Sequence, residues 1–126
     1  MNTPSLTLVA VMAALSLGAA QAAPLVPLQF NAQGRFEQQL ALEPGKFVEV
    51  CGPVPVGTPV KWQFKASAPL DFNIHYHQGK EVVTPTRATQ VSQAADTLLV
   101  AGEPDHCWMW VNKGAAPATV SVELQR

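Results

Sequence analysis

Two segments set the hydrophobic pattern of this chain. In "VKWQFKA" (60–66), Val60, Trp62, Phe64 and Ala66 alternate with Lys61, Gln63 and Lys65. In "LDFNIHYH" (70–77), Leu70, Phe72, Ile74 and Tyr76 alternate with Asp71, Asn73, His75 and His77. A period of two is the pattern of a half-buried strand. Ser67 to Pro69 reads as a turn between them. Further strands are expected at Lys46 to Cys51, at "TLLVAG" (97–102), at "HCWMWVN" (106–112) and at "ATVSVELQ" (118–125). A short one at "EVV" (81–83) follows the turn at 78–80. Turns are marked at Pro44-Gly45, Gly52-Pro53, Gly57-Thr58-Pro59 and Lys113-Gly114. The stretch "TPTRATQVSQAAD" (84–96) has little pattern and reads as a loop. No window forms a long amphipathic helix, and the expected fold is an all-β antiparallel sandwich.

The first residues change the picture. Leu6 to Ala20 is apolar or small apart from Thr7 and Ser16, and it ends in "AQA" at Ala20 to Ala22. This is too short for a membrane span, which takes roughly 20 apolar residues. It reads as a secretory signal peptide over 1–22, although it holds no Lys or Arg, the first basic residue of the chain being Arg35. A leader over 23–35 and one domain over 36–126 follow. The expected location is the periplasm or the exterior, with no membrane span after cleavage. The formal net charge is −1, with no basic patch for nucleic acid and no acidic block. An exported chain with two cysteines, Cys51 and Cys107, invites a disulfide. Free thiols or two metal ligands are the alternatives.

The order of landmarks resembles the GOLD (Golgi dynamics) domain, the lumenal β-sandwich of Golgi cargo receptors. A Leu-x-Pro-Gly opening (42–45) precedes a strand with Cys51. A Gly turn leads into "VKWQFKASAPLDFNI", and "HCWMWVNKG" and "TVSVEL" complete the series. The likeness spans roughly Phe36 to Leu124. It implies a Cys51–Cys107 disulfide and a habit of binding proteins or ligands. Those receptors continue into a stalk, a membrane span and a tail, whereas this sequence stops at Arg126. The resemblance therefore carries no trafficking role.

Candidate chemistry rests on few residues. His75 and His77 are two apart on one strand, so both point to one face, about 6.5–7 Å apart. Imidazole suits copper or zinc. His106, and the soft thioether of Met109, are further candidate ligands. They have opposite parity, so both serve one site only if the strand is bulged. A plain polar face is the alternative reading. Trp108 and Trp110 share parity with His106 and oppose Cys107, Met109 and Val111. They are either a surface binding patch or part of the core. Asp105-His106-Cys107 is no triad, because neighbouring strand residues point to opposite faces. The function expected is a non-catalytic exported module for an unknown protein or small ligand. The alternative is a periplasmic copper-binding protein.

Overall fold

A computed structural model describes residues 24–100, 102 and 104–126. The segment read as a signal peptide lies outside the described residues. Seven strands form: β1 (Leu25–Pro27), β2 (Arg35–Leu42), β3 (Phe47–Pro53), β4 (Pro59–Gln78), β5 (Glu81–Leu99), β6 (Asp105–Val111) and β7 (Ala118–Gln125). They make one curled sheet in the order β1-β3-β6-β4-β7-β2, with β5 on the other edge of β4. All pairings are antiparallel except β1 with β3.

The long strand β4 makes the curl a sandwich. Its first half, Lys61 to Ala66, pairs with β7, and its second half, Asp71 to His75, pairs with β6. One layer is therefore β2, β7 and the first half of β4. The other is β1, β3, β6 and the second half. The turn expected at 67–69 is instead a bulged bend inside β4. From Lys65 to Leu70 the chain takes five steps on β4 against two on β5, from Gln93 to Val91. Extra residues on one strand bend it, and here the bend carries β4 from one layer to the other.

The segment read as a loop, 84–96, is strand. It pairs with β4 along its length. As an outer strand it tolerates Pro85, whose missing N–H no neighbour needs. Its irregularity has an anchor in the Asp71 carboxylate. Asp71 Oδ1 accepts hydrogen bonds from Gln90 N at 3.0 Å and Gln90 Nε2 at 2.8 Å. Gln90 has a φ of 51°, a left-handed conformation that costs a non-glycine residue energy. Lys113 Nζ lies 2.7 Å from Asp71 Oδ2. Its hydrogen bond, then that of Gln90, holds the carboxyl at about 2, below the ordinary 3.8. The leader also contributes structure, because β1 pairs with β3 and Leu28 is buried. Strand β2, which no alternating pattern announced, adds Phe36, Leu40 and Leu42 to the core.

Alternate residues of both layers meet inside. Val60, Trp62 and Phe64 face Val48, Val50, Phe72, Ile74, Trp108 and Trp110, with Val120, Val122 and Leu124 beside them. Trp108 and Trp110 are wholly buried, so the surface-patch reading is wrong for both. The reason is their parity partner set: Cys107, Met109 and Val111 stay half-buried on the outer face. Phe72 ties the layers together, with ring centres 5.1 Å from Trp62, 4.7 Å from Phe64 and 5.4 Å from Trp110.

Candidate functional site

The outer face of β3, β6 and β4 gathers the residues that carry chemistry. Cys51 and Cys107 are register partners on β3 and β6, joined by a disulfide. Cys107 in turn sits opposite His75 on β4. Two residues along, Glu49, Met109 and Asn73 line up across the same three strands. The side chains of Glu49 and His75 reach toward each other across the disulfide row. His75 Nε2 is 3.7 Å from Glu49 Oε2, longer than a hydrogen bond. On its other side, His75 Nδ1 lies 2.7 Å from Asn73 Oδ1. An amide oxygen can only accept, so Nδ1 is the donor in this contact, and in the neutral ring the lone pair then sits on Nε2.

The structure brings His75 and His77 together, with ring centres 5.6 Å apart and nearly perpendicular. Their exposure differs between the two. His77 is exposed, whereas His75 is 8% exposed, covered by its neighbours on the sheet. His106 belongs elsewhere. It points inward and is 3% exposed, with its ring 4.9 Å from Tyr76 and 6.5 Å from Trp108. The strand bearing His106 does lie beside β4, but the alternation that puts Cys107 outside puts His106 inside. A three-histidine site is therefore not formed. Met109 shares the outer face with His75, in line with Glu49 and Asn73. Both sulfurs and a Glu49 oxygen lie within 4.8 Å of one another, but disulfide sulfurs are not thiolate ligands. Glu49 escaped the sequence reading, although it shares strand parity with Cys51. A cross-strand Cys51–Cys107 pair would have pointed to it.

Burial lowers the pKa of both His75 and His106 from the ordinary 6.5. For His75, Glu49 opposes this and His77 and His106 add to it. For His106, the Pro104 carbonyl and Asp105 oppose it. Below pH 6.5 the unfolded chain binds more protons at these rings than the folded one, so stability rises with pH there. The thermal midpoint is expected to be level above about pH 7. It should fall as pH drops from 6.5 through the lowered pKa values. Melts recorded across this range check it, and His106→Phe should flatten part of the fall.

A second concavity lies on the outer face of the other layer. It is a groove of about 580 Å³ lined by Gln63, Lys65, Gln93, Ala95, Ser121 and Glu123, among others. Its Glu123 carboxylate is engaged by Arg35 at 3.0 Å and accepts from Gln63 at 3.4 Å. Among the described residues, no helix is long and apolar enough to cross a membrane.

No family model matches the chain, and no curated protein matches it. Solved structures do. The chain is similar to Aeromonas hydrophila PliG, a periplasmic lysozyme inhibitor of g-type lysozyme, with a TM-score of 0.56 and 14% identity. That match covers 80% of this chain and 96% of the other. Salmonella Typhimurium PliG gives 0.54 at 14% identity, covering 82% and 98%. A mutant of the Escherichia coli PliG gives 0.53 at 11%, covering 80% and 96%. At such identities the likeness is one of fold.

Proposed function

We propose that this chain is an exported, non-catalytic binding module that holds a protein partner on its exterior. The observation that carries this reading is the fold match to periplasmic inhibitors, each covered almost end to end. The disulfide supports an oxidising compartment. The landmark order that resembles the GOLD domain supports a binding habit too, and kinship with that domain is part of the proposal. The division of labour within the sandwich agrees. Its interior is filled by aliphatic and aromatic side chains, which leaves the outer faces for recognition. Both cysteines are bonded to each other, so neither offers a nucleophilic thiol.

The inhibitor neighbours point to a cell-wall hydrolase of the g-type lysozyme kind as the partner class. The purified, disulfide-bonded protein is expected to slow lysis of cell-wall suspensions by such a lysozyme, saturating at one chain per enzyme. An unchanged lysis rate at large molar excess, with no complex on a sizing column, rejects that partner.

A further inference from the structure

The outer-face cluster has a geometry that a solvated polar face does not require. In the neutral ring, His75 presents its Nε2 lone pair toward the Glu49 carboxylate, so two electron-rich atoms face each other. Their 3.7 Å separation is a few tenths of an ångström more than two donors on one ion. Donors held at about 2.1 Å in a tetrahedral shell sit about 3.4 Å apart. Two imidazoles on such an ion place their ring centres about 5 Å apart, and those of His75 and His77 are 5.6 Å apart. His77 is exposed, so rotation of its side chain can bring a ring nitrogen to the same point. A metal-bound histidine commonly donates its other N–H to a fixed oxygen, which sets its tautomer and aim. Asn73 Oδ1 holds that place at 2.7 Å from Nδ1.

We propose that Glu49, His75 and His77 form a site for one divalent transition-metal ion, with Asn73 as the positioning residue for His75. Two imidazoles and a carboxylate suit Zn²⁺ and Cu²⁺, and Cu²⁺ binds more tightly on the general affinity order. Three protein donors leave a position for water or for a donor atom from outside. The ligands come from two strands, β3 and β4, that are not neighbours. Strand β6 and its disulfide to β3 hold them at a fixed spacing. The proposal differs from the set expected from the sequence, His75 and His77 with His106 or Met109, by including Glu49 and leaving out Met109 and the buried His106. It does not rest on the binding-module reading, and either can fail alone.

The test is a titration of tag-free, disulfide-bonded, chelator-stripped protein with Cu²⁺ and, separately, Zn²⁺. One ion per chain is expected, with tighter binding of Cu²⁺. Glu49→Gln, His75→Ala and His77→Ala should each weaken binding by at least about tenfold, and Asn73→Ala by about ten- to a hundredfold. His106→Phe should leave the affinity unchanged. The electron paramagnetic resonance spectrum of the Cu²⁺ form should show two coupled imidazole nitrogens, falling to one in His77→Ala. Near-ultraviolet circular dichroism verifies that each variant keeps its packed aromatic core. Absence of stoichiometric binding, wild-type affinity in Glu49→Gln, or loss of binding in His106→Phe overturns the proposal. The spectrum decides independently, because a single coupled nitrogen in the wild type also overturns it.

Discussion

Trp110→Ala is expected to lower the unfolding free energy by about 3–5 kcal/mol, the usual range for deleting a buried large aromatic. The residue is 0% exposed. Its ring lies 5.5 Å from Phe64, edge-on, and 5.4 Å from Phe72. Phe64 belongs to the half of β4 paired with β7, and Phe72 to the half paired with β6. Removing Trp110 therefore opens a cavity where the two layers meet, and β4 cannot close it without shifting both pairings. A domain of this size has about 5–15 kcal/mol in total, so the variant should be close to its unfolding threshold. Trp110→Phe should cost less than half as much. It keeps a ring against Phe64 and Phe72 and deletes an indole N–H that has no acceptor among the described residues. Urea unfolding followed by fluorescence of the remaining tryptophans checks both. A loss below about 1 kcal/mol for the alanine variant would place Trp110 outside the core.

Removing the disulfide has an effect of similar size by a different route. Cys51 and Cys107 are 56 residues apart in sequence. In the chain-entropy description, a crosslink closing such a loop restricts the unfolded chain by about 4 kcal/mol. The double variant Cys51→Ala/Cys107→Ala should lose roughly that amount. The same loss should appear in wild-type protein when reductant is added. The bond also joins β3 to β6 in register, so its loss should loosen Glu49 from His75 before the layer of β2 and β7 responds. Hydrogen exchange at β3 amides, compared with that at β7 amides, reads this order. Equal denaturant midpoints for oxidised and reduced protein would contradict the stated role of the bond.

The strongest alternations were legible because their strands are covered on one face only. Val60, Trp62, Phe64, Leu70, Phe72 and Ile74 keep one parity through the bend of β4, and Val120, Val122 and Leu124 do the same in β7. Strand β5 was hidden for a physical reason. Its inward residues Ala88, Val91, Ala94 and Leu98 are spaced three, three and four apart, because bulges reset the strand's parity twice. That spacing does not match a strand, and the small side chains add little hydrophobic signal. For β6 the pattern left both faces open, since each carries large apolar groups. The choice falls to the side that faces Phe64 and Phe72, where two indoles find aromatic neighbours. The same choice sends His106 inward and Met109 outward. Glu49 could be placed only through long-range pairing, which alternation within one strand does not report.

Strands β3 and β4, held apart by β6, deliver Glu49, Asn73, His75 and His77 to one outward spot, where the neutral His75 ring keeps its lone pair on Nε2. Nitrogen-detected magnetic resonance of the imidazoles in ¹⁵N-labelled, metal-free protein, above pH 6.5, reads this directly. A neutral His75 with its hydrogen on Nδ1 and an unprotonated Nε2 is the expected result. A His75 ring with its hydrogen on Nε2, or one charged on both nitrogens at that pH, would contradict it.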